Sequence, residues 1–142
     1  MKTVRQLLAE KSGKLQTIAS DARVLDALKA MAEHNIGALP VVDAGRLVGI
    51  LSERDYARKV VLLGKSSPET IVRDIMTGQV TSIGPDQTTG DCMNLMSNGR
   101  FRHLPVVDGG KLVGVVSIGD LVKEVIAEQA ETIKQLETYI RS

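Results

Sequence analysis

Between residues 24 and 31 the apolar side chains Val24, Leu28 and Met31 fall at i, i+4 and i+7, one stripe that predicts an amphipathic helix. The period then changes. Leu39 to Val42 and Leu47 to Leu51 are short β-rich runs joined by Asp43-Ala44-Gly45-Arg46, the pattern of a hairpin. A short extended piece, Leu15 to Ile18, precedes the helix, and Asp21 in Ser20-Asp21 is the expected N-cap, because a carboxylate accepts the free N–H groups of a first helical turn. A second helix is expected from Ser52, which gives the order β-α-β-β-α. Val41, Val42, Val48 and Ile50 are expected to face the helices or another layer.

The whole pattern recurs. An offset of 65 aligns residues 14–60 with 79–125 without a gap, and sixteen of those 47 positions are identical. They include Ile18 with Ile83, Met31 with Met96, Pro40 with Pro105, Gly49 with Gly114, Ser52 with Ser117 and Asp55 with Asp120. In the second copy Val80 to Ile83 is the extended piece, Pro85-Asp86 the expected helix start, Met93 and Met96 the apolar stripe and Asn98-Gly99 the helix stop. Asp108-Gly109-Gly110-Lys111 is the hairpin turn; it lacks the flanking glycine and the Ser or Thr of a phosphate loop. Half of such a short chain buries too little apolar surface alone, so the copies are expected to pack about a pseudo-twofold axis in an α/β (α+β) fold. The expected organisation is an N-terminal helix and first repeat over 1–63, a polar link over 64–72, a second repeat over 73–126 and a C-terminal helix over 127–142. The stretch from Leu121 onward spaces Ile126, Ile133, Leu136 and Ile140 among Glu and Lys, an amphipathic surface suited to a homodimer contact.

Charge excludes some partners. Lys and Arg number 18 against 17 Asp and Glu, with no basic half, so no nucleic-acid footprint is expected. The apolar runs are short, so no membrane span is expected and the cytoplasm is the default compartment. The single cysteine, Cys92, sits at helical spacing and reads as a small buried hydrophobe. No spaced His, Cys and carboxylate set for a metal, no nucleophile elbow and no dinucleotide GxGxxG is present, so no catalytic activity is expected.

Each copy ends Gly-hydrophobic-hydrophobic-Ser-x-x-Asp, at 49–55 and 114–120. At a helix start Ser-x-x-Asp is close to a capping box, in which both side chains satisfy backbone donors. Equally, Ser52 and Ser117 at helix N-termini favour a phosphate, with Arg54 adding charge, and an aspartate accepts from both hydroxyls of a ribose. Arg100, Arg102 and His103 make a small cationic cluster, a phosphate subsite or a solvated basic edge. His34, near a helix end, suits the C-terminal dipole.

These units, the LPVVD run before each hairpin and RDIMTGQV at 73–80 together resemble a tandem pair of CBS domains, a Bateman module, here as a small stand-alone CBS-domain protein. The resemblance implies a regulatory module with two clefts for adenosine-containing ligands: AMP or NAD(H) foremost, with ADP, ATP or S-adenosylmethionine as alternatives. It implies ribose-binding roles for Asp55 and Asp120, and cleft positions for Lys14, Gln16, Thr77 and Val80. Ile36, Gly37 and Ala38, with the matching Phe101, Arg102 and His103, would line the entrances. Signalling would pass to an effector protein or through a change of assembly. The competing expectation is a partner-binding module with unoccupied clefts.

Overall fold

The structure is a computed structural model that describes residues 2–11 and 13–141; Met1 and Ser142, the ends of the expected first and last segments, lie outside the described residues, as does Ser12. Helix α1 (Val4–Glu10) comes first. The first repeat then runs α2 (Val24–His34), β1 (Ala38–Asp43), β2 (Arg46–Ser52) and α3 (Glu53–Tyr56), which continues into a π-helical turn at Ala57–Val61. The second repeat runs α4 (Thr89–Gly99), β3 (His103–Asp108), β4 (Lys111–Ser117) and α5 (Ile118–Arg141).

The two hairpins match residue for residue. Ala38 pairs with Ser52 and Asp43 with Arg46, with a bulge between Val41 and Val42; His103 pairs with Ser117 and Asp108 with Lys111, with the bulge between Val106 and Val107. Both turns have two central residues at positive φ, Ala44 at 48° and Gly45 at 77°, Gly109 at 58° and Gly110 at 81°. That turn twists with the strands it joins, so the hairpins close as the sequence predicts.

Two expectations need correction. The extended pieces before the helices shrink to single parallel bridges, Ile18 to Val41 and Ile83 to Val106. Asp21 and Asp86 are not caps: α2 has Arg23 at its N-cap with no side-chain bond, and α4 is capped by Thr88, whose hydroxyl accepts from Asp91 N–H. The physical reason lies in a segment from elsewhere in the chain. Val24 N–H donates to the Thr70 carbonyl at 2.8 Å and Thr89 N–H to the Lys2 carbonyl at 3.0 Å, so an incoming backbone satisfies the first donor of each helix.

These incoming segments are exchanged between the repeats. Val4 and Leu7 of α1 are buried in the second core with Ile83, Cys92, Leu104 and Val116, while Val72 and Ile75 are buried in the first core with Val24, Met31, Leu39 and Leu51. Each contact has its counterpart: Val4 N–H bonds Gln87 O and Val72 N–H bonds Ala22 O; Arg5 N–H bonds Pro85 O and Arg73 N–H bonds Ser20 O. Val4-Arg5-Gln6-Leu7-Leu8 is thus the structural equivalent of Val72-Arg73-Asp74-Ile75-Met76. Mutual exchange is the behaviour of two like units related by a pseudo-twofold axis. Within the stretch 64–72 the Ser67 carbonyl accepts Leu25 N–H, the Thr70 carbonyl accepts Val24 N–H, and Thr70 is buried.

Hydrophobic packing follows the stripe, with Ala27 added to it: Val24, Ala27 and Met31 are buried, as are Cys92 and Met96 of α4. On β2 the fully buried apolar side chain is Leu51, and Ile50 is only half-buried.

Candidate functional site

Strand β4 ends where α5 begins, and Asp120 stands at the third residue of that helix. Its Oδ2 accepts Ser117 N–H at 2.9 Å while the Ser117 hydroxyl accepts Asp120 N–H at 3.1 Å, so the capping box is formed. A cation reaches the same oxygen. Lys11, at the C-terminal end of α1, sets Nζ 2.9 Å from Oδ2 and donates to the Val115 carbonyl at 2.8 Å. Burial pushes the Asp120 carboxyl up, but the Ser117 N–H and the Lys11 ammonium together outweigh it and hold the group below its ordinary value. Among the described residues no donor is bonded to Oδ1.

Asp120 opens onto a cleft of about 680 Å³ between the repeats. The first repeat contributes Lys14, Gln16, Ile36, Gly37 and Ala38; the second contributes Arg102, His103, Ser117 and Asp120. Nine of the sequence-nominated residues therefore meet at one place. His34 and Lys123 also reach it. Cations dominate: Lys11, Lys14, Arg102 and Lys123 line the cleft, and Asp120 is the acidic side chain among them. His103 faces Gly37, whose missing Cβ would lie 3.6 Å from the imidazole. Burial lowers the His103 pKa, and Lys11 and Arg102 lower it further against the opposing pull of Asp120 and Glu53, so the site favours the uncharged ring.

Asp55 occupies the equivalent place at the start of α3 but is differently employed. Oδ2 accepts from Ser52 N–H at 3.0 Å and from its hydroxyl at 3.1 Å; Oδ1 faces the Thr77 hydroxyl at 3.4 Å and Lys59 Nζ at 3.4 Å. Thr77 is also bonded through its backbone to Ile50 in both directions, which draws it against β2. Arg54 is exposed and Val80 half-buried. Phe101 packs against the second core and over Gly99. Arg100 caps α4 in the left-handed conformation and is not among the residues that line the cleft.

Lys11 was not legible as a site residue, because the repeat read from the sequence begins at residue 14. The signal was present as VRQLL at 4–8 against VRDIM at 72–76, an offset of 68 in place of 65. Among the described residues no group of three or more His, Cys, Asp or Glu is placed to hold a metal ion, and no helix is long and apolar enough to cross a membrane.

Comparison with known proteins agrees with this architecture. The CBS domain pattern matches residues 4–62 and 72–127. The CBS domain-containing protein CBSX3, mitochondrial, of Arabidopsis thaliana is 42% identical over 127 residues, covering 86% of this chain and 62% of its own length. Among solved structures, a protein with CBS domains from Burkholderia ambifaria MC40-6 superposes with a TM-score of 0.86 at 53% identity, covering 90% of this chain and 96% of that one. The CBS domain pair of protein MJ0100, in complex with 5′-methylthioadenosine and S-adenosyl-L-methionine, superposes at 0.80 with 29% identity, covering 90% and 98%. The chain is therefore a member of the CBS-domain family, built as a pair of CBS domains.

Proposed function

We propose that this CBS pair is a cytoplasmic, non-catalytic regulator that binds an adenine nucleotide of the AMP or NAD(H) kind and passes its occupancy to an effector protein or to its own assembly. The observation that carries the reading is the inter-repeat cleft, in which Asp120 keeps one carboxylate oxygen open among four cationic side chains. Its volume of about 680 Å³ suits a nucleotide-sized ligand. A solved relative, MJ0100, holds adenosine derivatives, which supports the adenosine part. The surplus of cations here argues for phosphate on the ligand and against the sulfonium of S-adenosylmethionine.

The direct test is a thermal-shift panel of AMP, ADP, ATP, NAD, NADH and S-adenosylmethionine. A ligand at about 100 times its Kd adds roughly 2.7 kcal/mol of apparent stability. The phosphate-bearing ligands are expected to raise the midpoint and S-adenosylmethionine to trail them. At Asp55, where both oxygens meet donors of the chain itself, the alternative reading of an unoccupied cleft is favoured.

For assembly, we infer a homodimer through α5. Ile126, Ile133, Leu136 and Ile140 are between 56% and 79% exposed. With Val122 and Gln129 they follow alternating steps of four and three residues, a heptad seam with Ile126, Ile133 and Ile140 at a and Val122, Gln129 and Leu136 at d. The seam leads into an apolar groove of about 340 Å³ between α4 and α5, walled by Met93, Met96, Leu121 and Val125.

A further inference from the structure

We propose that Lys11 sets the specificity of the Asp120 cleft, selecting phosphate-bearing nucleosides over the bare nucleoside. The inference rests on the nucleotide reading above and adds to it a residue and a rule of choice.

Lys11 differs from the other cations of the cleft in being fixed. Lys14, Arg102 and Lys123 make no ion pair among the described residues, whereas the Lys11 ammonium, on a side chain 38% exposed, is held between the Val115 carbonyl at 2.8 Å and Asp120 Oδ2 at 2.9 Å. An ammonium has three N–H donors. Two are engaged, and the third has no acceptor among the described residues. An open donor on Lys11 therefore stands beside the open acceptor Asp120 Oδ1. Together they form a bipolar pair. A sugar hydroxyl donates to the carboxylate oxygen and a phosphate oxygen accepts from the ammonium, and one ligand that carries both groups satisfies the pair.

The ion pair has a second effect. A bare carboxylate that binds a ribose repels the phosphate attached to it, and the neutralising lysine removes that conflict. Lys11 acts without losing its bond to Asp120, because the free N–H is the third one. The position that holds it is also precise in origin: Lys11 closes α1, and α1 is anchored in the second core through Val4 and Leu7. A preorganised donor avoids the ordering cost that a flexible surface lysine bears on binding.

The other half of the molecule supplies the comparison. With the exchanged segments aligned, Gln79 stands where Lys11 stands, and the lysine near Asp55 is Lys59 from the same helical run, four residues on. The lysine delivered by an exchanged segment thus belongs to the Asp120 side.

The test is calorimetric titration of the full chain, unaltered and as Lys11→Gln and Lys11→Arg, with AMP and with adenosine, each variant being checked for an unchanged melting transition. The unaltered chain is expected to bind AMP more tightly than adenosine. Lys11→Gln should weaken AMP about tenfold, the worth of one hydrogen bond to a charged group, with adenosine held within about twofold. Lys11→Arg, which keeps the charge, should restore most of the preference. Equal loss of both ligands in Lys11→Gln would show that the lysine only positions Asp120 and would overturn the inference, as would no change in either. Failure of the unaltered chain to bind either ligand would remove the nucleotide reading itself, a result distinct from an unchanged preference in the variant.

Discussion

Met76 lies against Gly49 so closely that a Cβ on the glycine would stand 2.6 Å from the Met76 sulfur and 3.0 Å from the Thr77 carbonyl oxygen. Gly114 has the same relation to Leu8, with Cδ2 at 2.7 Å, but no backbone atom is among its close neighbours. The exchanged segments are thus seated on bare backbone. Gly49→Ala is expected to destabilise by about 1–3 kcal/mol through overpacking, and Gly114→Ala by less, since a leucine tip turns aside more easily than a carbonyl. Urea unfolding of the two variants decides it; equal midpoints would contradict the ordering.

Replacement of the two aspartates should separate capping from binding. Asp120→Ala is expected to lose about 1 kcal/mol of folding stability with the cap and, separately, about 1.5–3 kcal/mol of nucleotide affinity. Asp55→Ala should show the stability loss and leave binding at the Asp120 cleft unchanged, because both Asp55 oxygens serve the chain. Titration and melting of each variant check this, and unaltered binding in Asp120→Ala would refute the site.

Acid should act on the cleft through His103, which faces Asp120, Lys11, Glu53 and Arg102. Burial holds its folded pKa below the ordinary 6.5, so the unfolded chain takes up the proton first and stability falls as pH drops below about that value. A bound phosphate favours the protonated ring, so AMP affinity should rise on acidification and go on rising below pH 6.5, where an unperturbed histidine would already be saturating. His103→Gln should abolish both trends, as read by melting and titration between pH 5 and 8; persistence of the affinity trend would assign it to another group.

Cys92 offers a check on the second core. It is fully buried and burial pushes its thiol up to about 11, so it should resist a thiol reagent at pH 8 in the native state and react once urea opens the core.

The helical seam makes its own prediction. Ile133→Asp with Ile140→Asp should give a monomer by light scattering at tens of micromolar, with melting nearly unchanged, since both side chains are exposed in the single chain. A monomer in the unaltered protein would sink the dimer.

What the sequence revealed was whatever is written in short range. The hairpins were legible because a turn between two β-rich runs is a local event, and the helices because Val24, Leu28 and Met31 share a face. Asp55 and Asp120 were legible as a recurrence, but the division of labour within each carboxylate was not, since Ser52 or Ser117 fixes Oδ2 locally while Thr77, brought from a distance, meets Oδ1 of Asp55 and Lys11, also brought from a distance, joins Ser117 at Oδ2 of Asp120. The helix caps were misread for a related reason: Asp21 and Asp86 have suitable chemistry, yet the donors they would serve are taken by Thr70 and Lys2 carbonyls from the exchanged segments. A three-residue change of offset concealed that exchange, and with it Lys11.

Because each repeat borrows its missing piece from ahead of the other, synthesis and folding run out of step. The first CBS unit cannot fill its core until Val72 and Ile75 have left the ribosome, whereas Val4 and Leu7, made before either repeat, wait for a partner that ends near Leu121. Until the second repeat is made the nascent chain therefore carries in α1 a helix whose apolar residues have no core to enter, and the second unit is completed last.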